Sequence, residues 1–279
     1  MKINSASILL AGMTCILALT ACTPSRTNQF ESQKQETNIL GGTIVDPQDT
    51  IARSTVAILI TVADGDQNYQ FLCTGTLIRN NMVLTAAHCA VPSTATRSVH
   101  SYIIFGSDVS NVNNREIRSV TNQVPHPRFA DSAPQGADAN DLAVMKFAGT
   151  LPDNYRMARV LPNESLMKKD MMLTIAGYGV NDLSKGTTDS KLHKVDLPYG
   201  QDYGSTEIIL DQTGGRGACH GDSGGPVFVN YRGATFLWAV TSRGLGAQDD
   251  CSTRGVYTKV NAQIDFISCA INQLSDNSN

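Results

Sequence analysis

An all-β fold closed by one C-terminal helix is what this chain of 279 residues predicts. Two features carry that expectation. Between residues 54 and 260 the sequence is a series of short β-branched runs broken by Gly, Pro, Asn and Asp, which reads as strands joined by turns. Only the C-terminal segment has the spacing of an amphipathic helix.

In chain order, the strand candidates begin with 55–62, an almost wholly apolar run ending before Gly65, and 70–78, ending before the Asn80-Asn81 pair. Next come 82–86, then 102–105 closed by Gly106, and 142–147 closed by Gly149. The second half offers 172–178, 207–210, 226–229, 236–241 and 255–260. Many short strands with frequent turns fit a sandwich or a barrel, and periodicity does not separate the two. In the terminal segment Ile264, Ile267, Ile271 and Leu274 form one apolar stripe, and Cys269 falls on the opposite face.

With 41% hydrophobic and 17% charged residues, the chain suits one ordinary globular unit or two small packed ones. A net charge of −3 and the lack of a basic cluster give no reason to expect nucleic-acid binding. The first residues read as a targeting segment: Lys2 supplies a positive start, and residues 8–19 are largely apolar but too short for a comfortable membrane span. The segment ends in Leu19-Thr20-Ala21-Cys22, similar to a bacterial lipoprotein box, so residues 1–21 would be the signal and Cys22 the lipidated residue. An ordinary secretory signal is the alternative, and both export the protein. Residues 22–38 are polar, with Phe30 the only large apolar side chain, and read as a flexible tether.

The chemistry is concentrated in three places. Gly221-Asp222-Ser223-Gly224-Gly225-Pro226 sets a serine in a glycine-rich turn. A serine hydroxyl needs an adjacent base and a site for the oxyanion, and glycine lets the backbone turn its N–H groups inward. Upstream, Thr85-Ala86-Ala87-His88-Cys89 supplies a histidine, the side chain that titrates nearest neutrality. Between them, Asn140-Asp141-Leu142-Ala143-Val144 opens an apolar run with a carboxylate that would be costly without compensation. Asp138 is close enough in sequence to be weighed beside Asp141.

These segments, with Ile39-Leu40-Gly41-Gly42, the 73–78 segment and the 255–260 segment, resemble the trypsin/chymotrypsin-like serine proteases. The resemblance runs from about residue 39 to the end, in the family's order of His, Asp, Ser. It implies two packed six-stranded antiparallel β-barrels with a C-terminal α-helix, over 39–155 and 156–279. Catalysis would belong to His88 as base, Asp141 as its orienter and Ser223 as nucleophile, with an oxyanion hole from the N–H groups of Gly221 and Ser223. Cleavage before Ile39 would free an amine to pair with Asp222, making the chain a zymogen that needs an activating protease. Asn38 stands where tryptic activation would require Lys or Arg. That cut would also part the enzyme from lipidated Cys22, so an active, membrane-bound form starting at Ile39 would contradict release.

The resemblance further implies Cys73–Cys89 and Cys219–Cys251 disulfides, pairings that sequence alone does not choose. Disulfides suit an envelope or extracellular compartment. Cys269 is left over, as a free thiol or an intermolecular bridge. The specificity pocket would involve Gly217 at its floor, Ala218, His220, Ser242, Arg243, Gly244 and Gly255. Gly217 replaces the aspartate of a trypsin, so an uncharged side chain is expected before the scissile bond. Arg243 stands in place of an aromatic residue, and with Arg216, Arg254 and His220 it keeps an acidic or amide side chain open. The loop after Gly106 lacks the family's calcium-binding glutamate, so no metal or other cofactor is expected. Leu173 and Val229 occupy the positions of a disulfide common in the family. Protein or peptide substrates and a monomer follow from the same resemblance. A catalytically silent binding lipoprotein is the alternative from another class, and an esterase would use the same chemistry. An α/β-hydrolase is disfavoured because its order is Ser, acid, His.

Overall fold

The strand Thr55–Asp64 is buried along most of its length, and Val56, Ile58, Ile60 and Val62 on one of its faces turn inward together. The computed structural model describes residues 39–134, 136–180, 182, 186–245 and 251–276. The expected signal, lipidation site and tether, with Asn38, lie outside the described residues. In chain order the strands are β1 (Thr43–Ile44), β2 (Thr55–Asp64), β3 (Gln67–Arg79), β4 (Met82–Thr85), β5 (Arg97–Ile104), β6 (Ile117–Pro125) and β7 (Ala143–Phe147). After them come β8 (Met172–Gly177), β9 (His193–Pro198), β10 (Gln201–Tyr203), β11 (Glu207–Asp211), β12 (Pro226–Tyr231), β13 (Ala234–Leu245), β14 (Arg254–Lys259) and the helix α1 (Ile264–Asp276).

The first barrel closes as β2-β3-β4-β7-β6-β5, all antiparallel. Its interior is filled by the inward residues of β2 with Leu77, Val83, Ile103, Phe105, Met145 and Phe147. The second half differs from the six strands expected. It is an eight-stranded sheet in the order β1-β9-β8-β12-β13-β14-β11-β10. Two very short strands, β1 and β10, form its edges, and β9 and β11 approach each other without a described hydrogen-bonded ladder between them. Leu161, Leu173, Ile175, Val227, Val229, Trp238 and Tyr257 form its core. Leu173 and Val229 are direct cross-strand partners, so an apolar pair stands where the family often has a disulfide.

A further apolar cluster joins both halves, with Ala57, Leu84, Leu142 and Val144 against Tyr178, Phe228, Leu237 and Val240. Helix α1 adds Ile267, Ala270 and Leu274 to that cluster. The predicted stripe differs at one position: Ile264 is 43% exposed, and Ala270 takes a buried place beside Ile267 and Leu274. Lys146 Nζ on β7 donates to the Leu274 carbonyl, satisfying one of the acceptors the helix end leaves open. Cys269 is exposed and unbridged.

Candidate active site

His88 stands on a single 3-10 turn, Ala87–Cys89, directly after β4. The Cys73–Cys89 disulfide ties that turn back to β3. Asp141 is launched from Asn140, whose φ of 52° is left-handed. Asn140 tolerates this because its amide donates to the carbonyls of Arg128 and Asp138 and accepts from Gln263 Nε2 at 3.0 Å. The asparagine of the motif thus builds the bend that presents the aspartate.

Asp141 is almost fully buried, yet both of its oxygens are engaged. Oδ1 accepts the backbone N–H of His88 at 3.0 Å. Oδ2 lies 2.8 Å from His88 Nδ1 and accepts from Ser242 Oγ at 2.7 Å. Burial opposes ionisation of Asp141, but the hydrogen bond and charge of His88, with Ser242, hold its pKa below the usual carboxylate value. An ionised carboxylate can only accept, so the proton sits on Nδ1 and Nε2 carries the free lone pair. For His88, burial opposes the positive charge, but Asp141 and, more remotely, Asp131 outweigh it, and the pKa lies above the ordinary histidine value. Arg243 pulls in the other direction.

Ser223 shares one cleft of ≈ 450 Å³ with His88 and Asp141. The loop that presents it is held from the first barrel. Thr74 on β3 donates its N–H to the Ser223 carbonyl at 2.8 Å and its Oγ1 to the Gly221 carbonyl at 2.9 Å. Gly221 adopts φ +95°, and a Cβ there would lie 2.8 Å from the Gly179 Cα, so glycine is required twice over. The His220 carbonyl is taken by the Val180 N–H and the Asp222 carbonyl by the Gly225 N–H. In a trans peptide the N–H points opposite the carbonyl, so the N–H groups of Gly221 and Ser223 turn away from those partners.

Asp222 is fully buried and accepts N–H bonds from Gly179 and Cys219, each at 2.8 Å. Among the described residues no basic side chain pairs with it. Burial outweighs the two donors and pushes its carboxyl up to about 7. Ile39 is also fully buried, packed in the second core with Tyr257, while Leu40 bridges Gly217.

A model of the family "Trypsin" matches residues 46–267. The chain belongs to the trypsin family. It is a serine protease by that membership, and its fold is the chymotrypsin-like one. Among its relatives, "Trypsin" from Saccharopolyspora erythraea is 30% identical, covering 84% of this chain and 98% of that one. "Brachyurin" from Leptuca pugilator is 29% identical over 71% of this chain and 86% of the relative. "Trypsin-1" from Astacus astacus is 28% identical over 70% and 86%.

The protease's Cys73–Cys89 and Cys219–Cys251 disulfides are both present. Ala218, His220, Ser242, Arg243, Gly244 and Gly255 line the cleft, whereas Gly217 does not. Its place at the cavity wall is taken by Gln212, which the sequence reading did not single out. Arg243 is neither a solvated rim cation nor open to the cleft as a free charge. Its guanidinium forks onto both oxygens of Glu207 at 2.9 and 2.7 Å. Glu207 is fully buried and also accepts the Ala139 N–H at 3.1 Å. Glu207 was missed because a lone carboxylate on the run Glu-Ile-Ile-Leu shows its partner only when β11 and β13 flank β14. Asp138 joins the β10–β11 turn instead, accepting from Ser205 and Thr206.

Proposed function

We propose that this trypsin-family protein is an endopeptidase that hydrolyses peptide bonds through an acyl-enzyme on Ser223, with His88 and Asp141 completing the triad. The observation that carries this reading is the Asp141 carboxylate. Both of its oxygens are engaged by His88 or Ser242, which fixes the imidazole with Nε2 as the free base. His88 Nε2 takes the Ser223 hydroxyl proton as Oγ bonds to the substrate carbonyl carbon. The carbonyl π pair moves to oxygen, which the N–H groups of Gly221 and Ser223 receive, a stabilisation worth about 2.7–4 kcal/mol per donor in such sites. The imidazolium gives its proton to the departing amine as the C–N bond breaks. Water, deprotonated by the same nitrogen, then cleaves the ester and regenerates Ser223.

In the same reading the chain is made as a zymogen. Cleavage of the Asn38–Ile39 bond supplies an α-ammonium to Asp222, the buried carboxyl that lacks a described cationic partner. Such a pair is a two-state switch rather than a source of net stability. The protein is exported, in keeping with its disulfides. A lipid on Cys22 would hold it at a bacterial envelope until the activating cut releases a soluble, monomeric enzyme with uncharged primary specificity.

A fluorophosphonate probe followed by intact-mass measurement tests the catalytic assignment. One adduct on a chain beginning at Ile39, absent in Ser223→Ala, is the expected result. No adduct on that mature chain would overturn it.

A further inference from the structure

Gly217 and Gly255 present bare backbone toward the same side chain, and that side chain is Gln212. A Cβ on Gly217 would lie 2.3 Å from Gln212 Cδ, and one on Gly255 would lie 2.4 Å from Gln212 Oε1. Gln212 follows directly on β11 and is 1% exposed, yet it lines the cleft that holds His88 and Ser223. Its amide nitrogen donates to the carbonyls of Ala218 at 3.1 Å and Cys251 at 2.9 Å. Its oxygen accepts from the Ala218 N–H at 3.2 Å and the Tyr257 hydroxyl at 2.6 Å. An amide has two donor hydrogens and two acceptor lone pairs, so all of its capacity is used.

We propose that Gln212 is the floor of the primary specificity pocket, and that it limits the pocket to short, uncharged side chains on the acyl side of the scissile bond (P1). The proposal rests on the protease reading above and deepens it. The volume that two missing side chains would leave open is filled from a third position, so the pocket is shallower than its glycines suggest.

The chemistry at the base excludes charge of either sign. A Lys or Arg side chain would bury its cation against an amide whose oxygen is already taken twice, and no carboxylate is among the described groups that bond Gln212 there. An acidic side chain would find both amide hydrogens committed. Arg243, an arginine of the cleft lining, is spent on Glu207. An aromatic side chain would have to displace the Gln212 side chain from the space it fills between Gly217 and Gly255. Alanine, valine and side chains of similar reach need none of this. Differences of one methylene in such pockets change kcat/KM by about 10–200-fold, so depth alone gives measurable selection.

The test is kcat/KM on a peptide series differing only at P1 (Ala, Val, Phe, Lys), with active enzyme counted by fluorophosphonate labelling. The mature protease should favour Ala and Val over Phe and Lys by at least about tenfold. Gln212→Ala should raise the Phe-to-Ala ratio by at least about tenfold, because the floor drops. Gln212→Met keeps the volume and loses all four hydrogen bonds. It should keep the preference for short side chains, which a merely bracing role for the amide would not predict. A wild-type preference for Phe or Lys, or an unchanged ratio in labelled Gln212→Ala, overturns the proposal. If Gln212→Ala does not fold, the wild-type ranking and a Gln212→Met that accepts Phe as readily as Ala remain able to overturn it. Absence of labelling in the mature wild type would instead overturn the protease reading, and this proposal with it.

Discussion

Raising the pH from 5 to 8 should strip stability from the intact chain, because Asp222 folds into a place without a described cation. Its carboxyl stands at about 7 rather than 3.8, since burial disfavours the charge more than the N–H groups of Cys219 and Gly179 favour it. The folded chain therefore holds a proton that the unfolded chain has already released. Stability from this group is fully present below about pH 4 and is lost as the pH rises through about 7. At 1.36 kcal/mol per pH unit the whole loss is about 4 kcal/mol, of which about 2.5 kcal/mol falls between pH 5 and pH 8. Urea unfolding reads it directly, because Trp238 is the only tryptophan and is fully buried. His88, His126 and His193 also have displaced pKa values, His88 upward and the others downward, so the informative quantity is the difference from Asp222→Asn. That variant should be less stable at low pH, since its NH2 must face a backbone donor, and should lack the fall. A chain cut before Ile39 should lack it too, with an ammonium holding Asp222 ionised. If intact wild type and Asp222→Asn follow parallel pH profiles, the buried, uncompensated carboxyl is not there.

Asp141→Asn should lower kcat by about 10⁴-fold with KM little changed, because an amide that donates to Nδ1 holds the wrong imidazole tautomer; steady-state peptide hydrolysis measures it. The acid limb of kcat/KM should lie above 6.5, the ordinary histidine value, and Asp131→Asn should move it to lower pH by removing a charge that favours the imidazolium. Arg243→Ala should destabilise the fold by about 3 kcal/mol, the low end of the range for a broken buried pair, since Arg243 is itself partly exposed. In that experiment, chemical denaturation of Glu207→Gln/Arg243→Met should show much of the loss restored.

Strands rich in β-branched residues were legible because burial on both faces leaves few alternatives: β2, β3, β12 and β13 appear where expected, each longer by a few residues. β6 (Ile-Arg-Ser-Val-Thr-Asn-Gln-Val-Pro) was not read as a strand, because it is half-exposed and most of its side chains are polar. β9 was also passed over, with buried His193, Val195 and Leu197 alternating with polar neighbours and only two of the three apolar. The motifs singled out His88, Asp141 and Ser223, and the fold brings all three to one cleft. What composition could not announce was the filling of that cleft. Gln212 and Glu207 are ordinary residues in the sequence, and their meaning comes from glycines and an arginine brought against them by distant strands.

Thr74 gives the two halves of the protease a shared fate. The loop bearing Ser223 is encoded with the second half but is tethered through two hydrogen bonds to a residue of the first. A chimera that exchanged one half between relatives would have to carry position 74 and residues 221–223 as a matched set. Split-protein fragments would likewise hold the Ser223 loop in place only once β3 was seated. The boundary of inheritance in this enzyme therefore does not run between its two halves.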